Sequence, residues 1–276
     1  MFTIKSKYSL LNNKYAIQKS SINNRASSGI GKEFAHIHAE KGGDLIIVAR
    51  RKDKLNQLKA ELEQKHSIKV LVIAKDLSLA NAPADIYQEV KEAGIEVDYL
   101  INNAGFGGRG KFHERAWVQD LAMINVNVIA LTTLTRLFLP NFVNKNSGKV
   151  LNVSSTASLM PGPLQAVYYA TKAYVTSFSN AIAEELHNTN ITVTALLPGA
   201  TETEFASTSG MDQTDLFANT FSARSVAQDG YDGMLAGKLN VIAGVTFAQK
   251  IMMATVPLMP KKMMLTQIRK MQEVNK

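Results

Sequence analysis

Short apolar, β-branched runs recur along the chain and alternate with longer stretches of helical periodicity. The runs fall at 45–49, 70–74, 99–101, 150–153, 191–197 and 241–243. Their unbroken hydrophobicity suits strands buried on both faces. Between them, spacing of apolar positions predicts helices near 29–42, 52–65, 84–93, 114–139 and 167–187. Strand alternating with helix implies right-handed crossovers and a parallel sheet covered on both sides. Gly42-Gly43, Gly94, Ser147-Gly148 and Pro198-Gly199 punctuate the turns. No repeat or low-complexity linker divides the 276 residues, so one α/β domain is expected. Open sheets of this kind hold ligands at the carboxyl ends of their strands, so the chemistry belongs just after the apolar runs.

Composition narrows the function. With 46 % hydrophobic and 20 % charged residues the chain is neither disordered, collagen-like nor a coiled coil. The absence of cysteine excludes disulfides, thiolate zinc sites and a cysteine nucleophile. The five histidines show no metal-ligand spacing, so no metal is expected. The net charge of +8 gathers at the two ends. Lys5, Lys7, Lys14, Lys19, Arg25 and Lys32 precede the first acid, Glu33, and Lys261, Lys262, Arg269, Lys270 and Lys276 oppose Glu273. That is not the basic face of a nucleic-acid binder. Residues 1–25 have the composition of an organelle transit peptide but no apolar core for secretion, and they hold the sole candidate for a first strand. The apolar stretch 241–259 is broken by Gln249, Lys250 and Pro257, so no transmembrane span is expected. Pocket lining is its plain reading and contact with a membrane surface the sharper one.

Two glycine loops compete for a phosphate. Ser27-Ser28-Gly29-Ile30-Gly31 opens the first helix, where backbone N–H groups can approach a pyrophosphate. Gly105–Gly110 matches GxGxxG literally, yet no ribose-binding acid or base follows about 20 residues later, so it reads as a flexible loop beside a site. At the end of the second strand stand Arg50 and Arg51 rather than an acid. Arginine there can pair with a 2′-phosphate, which favours NADP(H) over NAD(H). YxxxK occurs three times, at Tyr15/Lys19, Tyr87/Lys91 and Tyr168/Lys172. Only the third has a serine thirteen residues upstream, Ser155, at the end of an apolar run. Tyr168 and Lys172 share a helix face. A nearby ammonium lowers the pKa of a phenol, and a serine hydroxyl can hold a substrate carbonyl for proton transfer.

On these residues the chain resembles the short-chain dehydrogenase/reductases, most of all their soluble bacterial branch, from about Ala26 onward. The motifs are SSGIG at 27–31, Asp76-Leu77, Asn102-Asn103-Ala104-Gly105, Asn127, Ser155, Tyr168 with Lys172, and Pro198-Gly199 followed by Thr201 and Thr203. The resemblance implies a single doubly wound Rossmann-type domain with a sheet of about seven strands. It implies Tyr168 as general acid/base, with Lys172 lowering its pKa and holding the nicotinamide ribose. Ser155 would orient a carbonyl, and Asn127 would hold a relay water. Asp76 and Leu77 would meet the adenine. Asn103, Ala104 and Gly105 would line the cofactor cleft, and Pro198, Gly199 and Thr201 would border the nicotinamide. It further implies a cytoplasmic oxidoreductase interconverting a small-molecule carbonyl and an alcohol. A dimer or tetramer would pack through the two long helices.

The start of the chain departs from this pattern. Where the family carries threonine and its first loop glycine, this sequence has Asn24 and Arg25. The preceding residues 18–23 are polar for a central strand, and an unpaired Lys19 would be costly to bury. The strand could be 14–17 followed by an insertion, or a poor strand that still pairs. Alternatively, residues 1–25 could be foreign to the domain through a damaged gene start. An impaired binding or regulatory protein is therefore the alternative to an active reductase. A lid is expected near 202–221, and with 160–164 and Met252, Met253, Met259, Met263 and Met264 it suggests an apolar pocket.

Overall fold

Each of the six apolar runs becomes a strand of one sheet, and a seventh strand lies at its centre. The computed structural model describes residues 19–273 apart from positions 213, 215, 216 and 218. In chain order the strands are β1 (Ser20–Asn24), β2 (Asp44–Ala49), β3 (Val70–Ala74), β4 (Tyr99–Asn102), β5 (Gly148–Val153) and β6 (Ile191–Pro198). The two-residue β7 (Thr201–Glu202) and β8 (Phe221–Ser222) pair with each other, and β9 (Asn240–Ala243) completes the main sheet. That sheet is parallel throughout, in the order β3-β2-β1-β4-β5-β6-β9.

Helices cover both faces. On one, Ile86, Leu134, Phe138 and Ile182 pack on Ile22, Leu100 and Val150. On the other, Phe34, Ile37, Val226 and Tyr231 pack on Ile101, Leu151 and Leu196. Leu55, Leu58 and Leu62 of helix Lys52–Lys65 close the edge over β2 and β3. Helix Ala223–Leu235 was not among the expected elements, because Gly230 and Gly233 interrupt its apolar pattern. Both glycines serve packing. A Cβ on Gly230 would lie 2.6 Å from Leu196, and one on Gly233 would strike Val241. Trp117–Asn144 is long and apolar enough to cross a bilayer by length and composition. Within it, Leu134, Phe138 and Phe142 pack in the sheet's core.

Of the readings open for the polar segment before Arg25, the structure has the one in which it still pairs. Ser20–Asn24 is a regular strand between β2 and β4, with Ile22 opposite Ile46 and Leu100. The domain therefore includes residues from before position 26. The alternative strand at 14–17 lies outside the described residues. Polarity is tolerated because most of the buried groups find partners. Asn24 Oδ1 accepts from the backbone N–H of Asn103 (2.8 Å) and Ala104 (2.5 Å). Asn23 Nδ2 donates to the Gly31 carbonyl at 2.6 Å. Lys19 sits at the strand's rim and pairs with Asp98 at 3.2 Å, so its charge is not buried alone. Two atoms remain as a cost: Ser21 Oγ and Asn23 Oδ1 are buried without a partner.

Asn102 is the hub of these polar contacts. It accepts from Asn24 (3.1 Å) and donates to Asn152 (2.9 Å) and Thr135 (3.1 Å). Replacing it with leucine strands partners on both neighbouring strands and is expected to lower stability by about 3 kcal/mol. Ser21→Ala removes an unpaired hydroxyl without adding volume and is expected to raise stability by about 1 kcal/mol. Urea unfolding of the two variants checks both signs.

Candidate active site

The turn after β1 brings the chain over the sheet's carboxyl edge into helix Gly29–Glu40. Arg25 takes a φ of +54°, the left-handed region in which glycine is at home. This is the position at which the resemblance expects the first loop glycine. Its side chain is half-buried and donates to the Gly105 carbonyl, and desolvation holds the guanidinium below its ordinary pKa. Gly29, at φ +55°, lies under Thr203, whose Cγ2 a Cβ would meet at 2.8 Å. Gly31 packs against the Arg25 carbonyl and Asn103, where no side chain fits. The helix thus starts close beneath the loop, with Ser28 at its N-cap.

Two adjoining depressions share Arg25, Ser28, Gly105 and Glu204. The outer one gathers Ser27, Arg50, Arg51, Asp76, Leu77 and Ala104. Arg50 is largely exposed and stands 3.9 Å from Asp76. Arg51 instead grips Glu204 through both terminal nitrogens, each at 3.1 Å, and Ser28 Oγ donates to the same carboxylate at 2.9 Å. The Arg51 bonds lead in holding the Glu204 carboxyl below the usual range.

The inner depression gathers Gly29, Ile30, Asn103, Ser155, Tyr168, Lys172, Pro198, Gly199 and Thr201. Its far wall is apolar, formed by Ala157, Tyr169, Phe205, Met211 and Phe217. Ser155 stands two residues past the end of β5 and caps a short 3-10 turn, accepting from the N–H of Ala157 at 3.1 Å. Tyr168 and Lys172 lie one turn apart on helix Ala166–Glu185, both buried. Lys172 Nζ donates to the Val153 carbonyl at 2.8 Å and lies 5.9 Å from the centre of the Tyr168 ring. Asn127 occupies a π-helical turn, Asn125–Ala130, of the kind frequent at functional sites. It clamps Phe106 by donating to its carbonyl (3.0 Å) and accepting from its N–H (3.1 Å), and it donates to Thr171 at 3.0 Å. A Cβ on Gly105 would lie 3.0 Å from Lys172 Nζ and 3.2 Å from Asn127 Oδ1, so that glycine leaves the space between them open.

The protonation pattern differs from the expectation. Burial pushes the Tyr168 phenol up to about 12, against the opposing hydrogen bond of Ser155 and the charge of Arg25. Burial, aided by Arg25, brings Lys172 down to about 7. Desolvation outweighs the neighbouring-charge effect on which the sequence argument relied. Tyr168 is therefore a neutral acid near pH 7, and Lys172 holds its proton less firmly than an ordinary lysine.

Other expectations changed in detail. Gly105–Gly110 does lie beside the site, and Gly107 leaves room for Phe205 against Tyr168. Of the C-terminal methionines, Met259 and Met264 pack behind Tyr169, whereas Met252 and Met263 face outward because the helices there bury one side at most. Glu204 and Gln165 carry no sequence signal. Glu204 is 153 residues from Arg51, and Gln165 becomes notable only because its buried Oε1 has no partner inside the chamber.

The donors suit a dinucleotide: a helix N-terminus with two serines for a pyrophosphate, two arginines for a ribose phosphate, and open glycine positions where a side chain would block approach. The model of the short chain dehydrogenase family matches residues 25–214. The very-long-chain 3-oxoacyl-CoA reductase of Mus musculus is 34 % identical over 187 residues, covering 65 % of this chain and 58 % of that protein. The chain thus spans less than two thirds of such mammalian relatives. The uncharacterized oxidoreductase YvaG of Bacillus subtilis is 36 % identical over 180 residues, 65 % of this chain and 67 % of that one. A short-chain dehydrogenase from Sphingobium yanoikuyae, solved in complex with NADPH, superposes with a TM-score of 0.78 at 28 % identity, covering 93 % of this chain and 99 % of the other.

Lys172 supplies a pH test. Its folded pKa lies below the 10.5 of an ordinary lysine, so above about pH 7 the unfolded chain binds the extra proton. Stability carried by this group rises from about pH 7 towards 10, with a slope of about 1 kcal/mol per pH unit. Lys172→Met is expected to flatten that rise, measured by urea unfolding at pH 7, 8 and 9.

Proposed function

Because the chain belongs to the short-chain dehydrogenase family, we propose that it is an NADP(H)-dependent oxidoreductase interconverting a carbonyl and an alcohol on a small to medium apolar substrate. The observation that carries this reading is the convergence of Ser155, Tyr168 and Lys172 beside one apolar-walled chamber. When bound, a nicotinamide supplies or accepts the hydride. This chain's residues handle the proton. Ser155 holds the carbonyl oxygen by a hydrogen bond, and the neutral Tyr168 hydroxyl gives it a proton during reduction. Lys172, buried beside the phenol, stabilises the phenolate left behind, and Asn127 keeps the 105–106 backbone clear of it. Phe205, Met211 and Phe217 exclude water from the substrate side. Arg50 and Arg51 support the preference for a 2′-phosphate, an ion pair that arginine forms bidentately. Exposed Val118, Leu121, Ile129 and Tyr174 on the two long helices support a homo-oligomer.

A second reading rests on Arg25. Its guanidinium crosses between the two depressions to Gly105, where a bound dinucleotide would pass. On that reading the chain keeps the fold and binds cofactor poorly.

Nicotinamide fluorescence separates the two. Saturable NADPH binding at least about tenfold tighter than NADH is expected, with the preference lost in Arg51→Ala. Absence of binding by the folded chain, restored in Arg25→Gly, would instead establish the second reading. Tyr168→Phe is expected to keep NADPH binding and lower the rate of carbonyl reduction by about 10²–10⁴.

A further inference from the structure

The C-terminal cap carries a helix with a well-made start and nothing buried. Helix Phe247–Thr255 opens on a capping box. Thr246 N–H donates to Gln249 Oε1 (2.8 Å), and Gln249 N–H to Thr246 Oγ1 (3.2 Å). Yet none of its residues is buried. A short helix ordinarily owes its stability to an apolar face packed on something. Here that face is open, with Phe247 79 % and Ile251 52 % exposed, and Leu258 in the following turn 84 % exposed. Met252 and Met263 are exposed as well.

The stretch of chain that forms this face carries charge of one sign. No acidic residue occurs between Asp232 and Glu273, while Lys250, Lys261 and Lys262 stand exposed among the apolar side chains. The opposite side of helix Lys261–Gln272 is anchored. Met264 and Ile268 pack in the cluster that contains Tyr168 and Tyr169, and Gln272 Nε2 donates to the Tyr169 hydroxyl at 3.0 Å. The cap is thus fixed to the domain on its inner side and open on its outer side.

We propose that this outer face docks on an anionic lipid bilayer. Phenylalanine, isoleucine, leucine and methionine side chains would enter the acyl boundary. The lysines would lie along it with their ammonium groups at the headgroups, the arrangement of an interfacial amphipathic helix. A second copy of the chain fits less well. A two-fold contact sets the same patch against itself, and would bring two sets of Lys250, Lys261 and Lys262 into one interface with no acid from this stretch to pair them. The inner side of the cap packs on Tyr169, itself a wall residue of the substrate chamber.

The test uses the full chain and needs neither cofactor nor turnover, so its failure leaves the catalytic reading standing. The protein is sedimented with phosphatidylcholine vesicles with and without phosphatidylglycerol. Binding only to the anionic vesicles is expected, weakened about tenfold in the double variant Lys261→Glu/Lys262→Glu. Because the chain has no cysteine, Leu258→Cys can carry an environment-sensitive dye. A blue shift with anionic vesicles at that site, and none at a control label on Leu79→Cys, is expected. No binding, equal binding to both vesicle types, or a shift at both labels or at neither would overturn the proposal. So would light scattering showing a dimer that Leu258→Glu dissolves.

Discussion

A line of amide side chains runs across the carboxyl ends of the three central strands. Asn24 on β1 donates to Asn102 on β4, Asn102 to Asn152 on β5, and Asn152 to Ser179 on helix Ala166–Glu185. All four residues are buried, where an unsatisfied amide would be expensive. The line fixes the height at which each strand ends. Through Asn24 Oδ1 it also holds the backbone of Asn103 and Ala104, and so the approach to Gly105. At its far end it ties down the helix that carries Tyr168 and Lys172. Cofactor loop, cleft floor and catalytic helix are thus registered to one another by a single hydrogen-bonded row.

That row explains which parts of the fold were legible in the sequence. The six apolar strands announce themselves because burial on both faces demands hydrophobic side chains. β1 does not, because Asn24 is satisfied by Asn102, Asn103 and Ala104 and the Asn23 amide N–H by Gly31, contacts that exist only after folding. Helix Ala223–Leu235 was hidden for a different reason. Gly230 and Gly233 weaken its helical signal while allowing it to lie close on the sheet.

The candidate site divides along the same line. Ser155, Tyr168 and Lys172 could be found because they belong to one strand–helix unit with fixed local spacing. Their protonation could not. It depends on how deeply helix Ala166–Glu185 is covered and on Arg25, which reaches the pair from the other side of the cleft. Glu204 was invisible for the same reason, its partners lying on two distant loops.

The Arg51–Glu204–Ser28 contact has a consequence for the way a phosphate arrives. The outer depression does not wait as a bare cationic hole. It already contains an anion, tethered to the chain at the start of helix Phe205–Ser209. A phosphate that takes Arg51 would exchange with a carboxylate, leaving that carboxylate with Ser28 as its remaining partner. Phe205 follows Glu204 directly and lies 5.3 Å, ring to ring, from Tyr168. The two ends of the cleft are thus joined through adjacent residues, Glu204 facing the cations at one and Phe205 facing Tyr168 at the other.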